Sequence, residues 1–302
     1  MFNIEKRVSL SEFAKLGDIV RDTSFFGVGK IPSRVQARVV PVQTPAHLRE
    51  VGARNREIAG VICPPQLASQ VPKELGCLAS PKPLVVAYEI QADLAKRPDH
   101  YWTRFETRIA ASARIHPGAQ IARYDVEIGE NTQVDAGAVI HERSIVGAGC
   151  IIGSATVIGT NAFELVRIDG INRLQVQSGG VRIGRNSIFL SGTMVARSVF
   201  ATFTEIGENC AFDNLVHIAH DCVIGEGSQI TACGILAGRV TLGDGSFVGP
   251  NATISNGVSV GESSSVTIGS TVVRDVEAGQ KVTGYFATDH RAFLRTLKRD
   301  RD

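Results

Sequence analysis

The side chains best suited to move protons are concentrated between residues 213 and 222, "DNLVHIAHDC". This stretch holds Asp213, His217, His220 and Asp221, with the amide of Asn214 beside them. A neutral imidazole accepts a proton near pH 7, and a carboxylate beside it can fix its orientation. The group therefore offers a general base with Asp213 or Asp221 as its orienter. Metal binding is the competing chemistry, but a metal site needs three convergent ligands. His116 and His141 lie far upstream, and no third ligand falls in register with His217 and His220. The expectation is acid–base chemistry with no metal.

What positions these residues is a period of six. An aliphatic or Phe residue recurs at Ile206, Phe212, Ile218, Ile224, Ile230, Leu236, Leu242, Val248, Ile254, Val260, Val266 and Val272. An upstream block repeats the pattern from Ile128 through Val134, Ile140, Val146 and Ile152 to Ile158, and a short block follows at Ile183, Phe189 and Val195. Six does not fit a helix of 3.6 residues per turn. It is a multiple of two, so each hexad reads as a short strand and a turn with the repeated residue facing inward. Stacked hexads make a solenoid whose coils contact only their neighbours. His217 and His220 flank the inward Ile218. Between Ile158 and Ile183 the period yields to a polar excursion over 160–181, and between Val195 and Ile206 the step lengthens to eleven.

Residues 1–105 lack the period and read as a small α/β domain. "SLSEFAKLG", "PAHLREVGARN" and "PPQLASQV" suggest helices; "ARVVPV", "IAGVICP" and "KPLVVAYEI" suggest strands. The repeat domain spans 106–284, and 285–302 reads as a short basic helix. Its Arg291, Arg295, Lys298 and Arg299 could attract an acidic partner. A net charge of +2 gives no pointer to nucleic acid or a membrane surface. No apolar run approaches the roughly 20 residues of a membrane span, and "MFNIEKRVSL" lacks a signal-peptide core. The six cysteines form no CxxC pair and read as buried apolar groups of a reducing compartment. A cytoplasmic protein is expected.

The hexads resemble those of the hexapeptide-repeat acyltransferases. That resemblance implies a mainly β fold, a left-handed parallel β-helix with three hexads per coil, and a homotrimer with sites in the grooves between subunits. The order of parts, with "DNLVHIAHDCVIGEGSQI" and "ILAGRV", resembles the UDP-3-O-acylglucosamine N-acyltransferase family of lipid A synthesis. The family's catalytic histidine maps onto His220, its aspartate onto Asp213 and its Ala-Gly glycine onto Gly238, eighteen residues beyond His220.

The activity so implied is transfer of an acyl group from a thioester, on an acyl carrier protein or CoA, to the amine of a nucleotide-activated amino sugar. The thioester is a co-substrate; no covalently bound cofactor is implied. His220 would be the base and the Gly238 N–H an oxyanion donor. His217, Asn214 and Asp221 would contact substrate. In the N-terminal domain "VVPVQTPAHLREV" places Pro41 and His47 where the family's uracil-stacking aromatics stand. "SNGVSV" puts Val258 near the place of a further family histidine. Both departures suit a relative working on a different nucleotide sugar. "HIAHDC" also resembles the UDP-N-acetylglucosamine O-acyltransferases, which makes an O-acyltransferase the first alternative. A β-helix scaffold without catalysis is the second.

Overall fold

The computed structural model describes residues 2–53, 57–284 and 291. The expected C-terminal helix, with Arg295, Lys298 and Arg299, lies outside the described residues except for Arg291.

The period of six folds into a left-handed parallel β-helix. Among the described residues its coils form three parallel sheets of eight, eight and nine strands. Ile206 pairs with Ile224, Phe212 with Ile230 and Ile218 with Leu236, so each residue lies over the one eighteen positions earlier. All twelve repeat residues from Ile206 to Val272 are buried and pack in one continuous column. Each buried aliphatic side chain contributes roughly 1.5–3 kcal/mol relative to exposure. Phe189 and Phe212 stack within the column, with ring centroids 4.6 Å apart. Cys150, Cys210 and Cys222 are buried in the same core, as expected of small apolar groups, whereas Cys233 is exposed, contrary to that reading.

Two insertions leave the helix. Residues 165–174 form an antiparallel hairpin, Leu165–Ile168 against Ile171–Leu174. Its base is tied by Gln177, whose side-chain amide bonds both the N–H and the C=O of Ala162, at 2.9 and 2.8 Å. The long step between Val195 and Ile206 has a packing reason. Ala196, Val199, Phe200 and Ala201 are buried against Phe25, Phe26 and Tyr101 of the N-terminal region, in one shared core.

That region is a five-stranded sheet of β1 (Asp18–Arg21), β2 (Gly27–Val28), β3 (Arg38–Pro41), β4 (Ile58–Cys63) and β5 (Gly76–Ala79), in the order β1-β5-β4-β3-β2. All neighbours are parallel except β1 and β5. Helix α1 (Pro45–Ala53) precedes β4 and helix α2 (Pro83–Lys96) follows β5. "SLSEFAKLG" is a 3₁₀ segment over Leu10–Leu16, closed by a capping box from Ser9 to Glu12. "PPQLASQV" also holds a 3₁₀ segment, Pro65–Gln70.

The strand expected at "KPLVVAYEI" is instead the first half of α2. Pro83 at its start is pre-set for a helix. Val86, Ala87, Ile90 and Leu94 then bury one helical face at spacings of three and four. The apolar run looked like a strand because its helical period shows only when followed through to Leu94. Gln91 of α2 donates to Ser178 Oγ at 2.7 Å and accepts from Tyr101 at 2.7 Å, tying α2 to the β-helix.

Candidate active site

The site forms at one corner of the β-helix, where the third face of a coil turns into the first face of the next. The corner residue is left-handed in three successive coils: Asp221 (φ 61°), Arg239 (φ 64°) and Gly257 (φ 76°). Asp and Gly enter this region more readily than most residues. The turn projects the residue before it, His220, along the outer edge of the coil.

His220 is 9% exposed. Its Nδ1 lies 2.7 Å from Asp221 Oδ2. An ionised carboxylate only accepts, so Nδ1 carries a proton, and in the neutral imidazole Nε2 then presents a lone pair. Asp221 is fixed in turn: the Ser198 hydroxyl donates to Oδ1, and the Asp221 N–H donates to Thr204 Oγ1 at 2.9 Å. The long step at 196–205 thus carries Ser198 and Thr204 beneath the His–Asp pair.

Gly238 sits one coil on. A Cβ placed there would lie 2.5 Å from His220 Nε2 and 2.6 Å from Cε1. Only glycine lets the backbone approach the imidazole this closely. With its amide turned so that both atoms find partners, Asn256 donates to Gly238 O and accepts from Arg239 Nη2 at 2.7 Å.

Two further groups reach the site from outside the coils. Glu164, just ahead of the hairpin, places Oε2 3.7 Å from His220 Nε2. Its Oε1 lies 2.5 Å from Lys30 Nζ. Lys30 belongs to the turn after β2, which Arg38 braces: this buried guanidinium donates to the carbonyls of Lys30 (3.0 Å), Ile31 (2.6 Å) and Val35 (2.9 Å). Arg34 of the same turn pairs with Glu205 of the β-helix at 2.9 Å. Between turn and helix lies a cleft of about 440 Å³, lined by Lys30, Arg34, Phe200, Asp221, Arg239 and Gly257 among others. Its lining carries three cations, Lys30, Arg34 and Arg239, and two carboxylates, Glu57 and Asp221.

The outer chain of residues thus joins a lysine, two carboxylates and an imidazole around a bare nitrogen lone pair. This arrangement can take a proton at Nε2 while an N–H or side-chain donor nearby steadies negative charge.

Comparison with known proteins places this geometry in context. The family model "Bacterial transferase hexapeptide (six repeats)" matches residues 125–160. The matched stretch consists of hexapeptide repeats.

Among its curated relatives is a UDP-3-O-acylglucosamine N-acyltransferase of Shewanella denitrificans, 39% identical over 92 residues, 30% of this chain and 27% of that protein. An acyl-[acyl-carrier-protein]–UDP-N-acetylglucosamine O-acyltransferase of Bartonella bacilliformis is 29% identical over 129 residues, 38% of this chain and 47% of the relative. The hexapeptide-repeat chain therefore spans less than half the length of each. A solved UDP-N-acetylglucosamine acyltransferase from Campylobacter jejuni aligns with a TM-score of 0.45 and 27% identity, covering 56% of this chain and 68% of that one.

Of the residues singled out in the sequence, the structure brings His220, Asp221 and Gly238 together. Asp213 makes no hydrogen bond to His220 within the chain among the described residues. It falls seven residues before His220, at the preceding corner of the triangular coil. There its carboxylate caps the N–H groups of Asn214 (2.7 Å) and Ala232 (3.2 Å), and Asn214 Nδ2 bonds the same carboxylate at 2.8 Å. Asn214 thus belongs to that corner as well.

His217 lies on the outer side of the third sheet, paired in register with Met194 and Ile235. Its imidazole makes no hydrogen bond among the described residues, and burial lowers its pKa. His47 is half-buried on α1, where its backbone N–H donates to Thr44 Oγ1 at 3.3 Å. No hydrogen bond or ion pair among the described residues joins it to the His220 cluster.

Sequence reasoning missed Ser198, Thr204, Glu164, Lys30 and Asn256. Ser198, Glu164 and Lys30 sit in insertions or in the N-terminal region, where no period places them, whereas Thr204 lies in a strand of the β-helix two residues before Ile206. Asn256 was within reach, because it lies eighteen residues beyond Gly238. No group of three or more His, Cys, Asp or Glu side chains among the described residues is placed to hold a metal. No described helix is long and apolar enough to cross a membrane.

Proposed function

We propose that this protein is a thioester-dependent N-acyltransferase acting on the amine of a nucleotide-activated amino sugar, in lipid A or envelope polysaccharide synthesis. The observation that carries the reading is the corner at His220: an imidazole held by Asp221 through Nδ1, with Gly238 against its Nε2. His220 Nε2 takes a proton from the attacking amine. The nitrogen attacks the thioester carbonyl carbon, the C–N bond forms, and the C–S bond breaks. The proton passes from His220 to the departing thiolate. Asp221 holds the productive tautomer and stabilises the imidazolium, as carboxylates do in other imidazole-based sites. The Gly238 N–H supports the oxyanion. The cations of the neighbouring cleft, Lys30, Arg34 and Arg239, suit a substrate that carries phosphate. The resemblance to the N-acyltransferases of the Shewanella type supports the acceptor assignment.

In this reading the donor is an acyl carrier protein or CoA thioester, the assembly is a homotrimer, and the reaction takes place in the cytoplasm. The test is acyl transfer from acyl carrier protein or CoA thioesters to UDP-3-O-acylglucosamine, with the amide detected by mass spectrometry. His220→Ala should lower kcat by about 10²–10⁴-fold and leave the fold intact. A variant as active as wild type would remove His220 from the mechanism, and a wild-type protein inert with both donors would overturn the reading. The likeness to the Bartonella O-acyltransferase favours a second reading, transfer to a sugar hydroxyl.

A further inference from the structure

His220 Nε2 and Glu164 Oε2 face each other across 3.7 Å. In the neutral imidazole, whose one proton is on Nδ1 toward Asp221, Nε2 is an acceptor, and an ionised carboxylate is an acceptor too. Two acceptors directed at one small space call for a group with at least two protons to give. Glu164 is not there by accident of a loose loop. Its carbonyl accepts from the N–H of Gln175 at 2.8 Å across the hairpin base. Lys30 holds its other oxygen at 2.5 Å, and Arg38 braces the turn that carries Lys30. The Glu164 side chain is only 22% exposed.

We infer that Glu164 is the residue that selects an amine over a hydroxyl acceptor. The inference rests on the N-acyltransferase reading above. A primary amine has two N–H groups and a lone pair. One N–H can point to His220 Nε2, the other to Glu164 Oε2, leaving the lone pair free for the thioester carbon. An alcohol has one O–H. If it donates to His220, its oxygen lone pairs are turned on the Glu164 carboxylate, and that contact is repulsive. A protonated amine gains further, because a carboxylate holds an ammonium group by a charge-assisted hydrogen bond. The transfer step is unchanged: nitrogen gains the acyl carbon, sulfur leaves with the electron pair, and the proton goes by way of His220 to the thiolate. Glu164 accepts a hydrogen bond throughout and takes no proton. Lys30 keeps the carboxylate aimed and is a positioning residue.

The experiment compares two acceptors that differ at one atom: UDP-3-O-acylglucosamine and its 2-hydroxy counterpart, UDP-3-O-acylglucose. Wild type and Glu164→Gln are each measured for kcat/KM with one thioester donor. Their affinities for both acceptors are also measured by calorimetry without donor. Glutamine keeps the size of the side chain but puts a donor beside Oε1, and it lacks the charge that binds ammonium. The expected result is a fall of about 10- to 100-fold in the amine-over-hydroxyl ratio of kcat/KM, with a matching loss of preference in binding. Lys30→Ala should move the ratio in the same direction by a smaller factor. Thermal melting of both variants near the wild-type temperature separates this outcome from misfolding. A ratio within threefold of wild type in both measurements overturns the role of Glu164 while amide formation by wild type leaves the transferase reading standing. Failure of wild type to acylate either acceptor brings down that reading, and the inference with it.

Discussion

Replacing Gly238 by alanine tests the site where its geometry is tightest. The added Cβ would lie 2.5 Å from His220 Nε2 and 2.6 Å from Cε1, with the Asn256 side-chain amide at 3.1 Å. Non-bonded carbon contacts are comfortable from about 3.5 Å, so the ring and the methyl group must separate by about 1 Å. The backbone at Gly238 cannot supply this freely, because its coil is bonded on both sides: Arg239 N–H to His220 O at 2.8 Å, and Gly257 N–H to Gly238 O at 2.9 Å. The imidazole is the softer partner. Turning it away lengthens the 2.7 Å bond from Nδ1 to Asp221 and takes Nε2 out of line with the acceptor.

A displacement of about 1 Å in a reacting group costs on the order of 10²-fold in rate. Overpacking of a tight site costs roughly 1–3 kcal/mol in stability. Gly238→Ala should therefore remain folded, with a lower melting temperature, and lose at least about 10²-fold in kcat for amide formation from UDP-3-O-acylglucosamine. Initial rates by mass spectrometry and melting by circular dichroism give the two numbers. A Gly238→Ala protein within threefold of wild-type kcat would refute the close approach of Gly238 to the working nitrogen. A protein that is inactive because it no longer melts cooperatively would show that the glycine serves the coil rather than the imidazole.

Other consequences follow from the same contacts. Asp221→Asn should cut kcat by about 10²–10⁴-fold with KM little altered, because the amide no longer enforces the Nδ1–H tautomer; unchanged kcat would show that the corner holds His220 without the carboxylate. Phe212→Ala should destabilise the β-helix by about 3–5 kcal/mol, since it removes one ring of the stacked, fully buried pair with Phe189; chemical denaturation measures it, and a loss under 1 kcal/mol would contradict the packing. Burial lowers the pKa of His100, opposed in part by its bond to the Phe26 carbonyl, and burial likewise lowers His141 and His217. The unfolded chain then binds protons more readily as pH falls below the ordinary imidazole value of 6.5, so stability present above it declines towards pH 5. Melting temperatures between pH 7.5 and 5 should fall, and His100→Gln should flatten part of the slope; an unchanged slope would shift the effect to the other two histidines.

How far the sequence revealed this molecule depends on where each residue gets its position. The twelve inward residues from Ile206 to Val272 were readable because a β-helix places them by a local rule, repeated in every coil. The same rule put Gly238 over His220. It also held the answer to the Asp213 question. A residue seven positions from His220 cannot share its corner, whereas Asp221, next to it, must. What no rule reached was the outer half of the site. Ser198 and Thr204 arrive through a coil lengthened to bury Val199 and Phe200 against the N-terminal core. Glu164 arrives through a hairpin whose strands pair only with each other. Lys30 arrives through a turn held by Arg38. The strand expected at 82–90 failed for a related reason: an apolar run reads alike in a strand and in a buried helix until its full length is counted.

This division has a mechanistic meaning. The coil supplies His220, Asp221 and Gly238, and on the proposed reading a base so held would serve an amine or a hydroxyl alike. The segment before the hairpin and the N-terminal turn supply further charges, namely Glu164 beside Nε2 and Lys30 and Arg34 along the cleft. A relative that kept the coil but exchanged the hairpin and the turn would keep the base and change the acceptor. Exchanging residues 160–181 for a hairpin without an acid at position 164 should therefore alter which acceptor is used while leaving His220 indispensable for both, and a chimera whose remaining activity no longer needs His220 would separate the two halves of the site in the opposite sense.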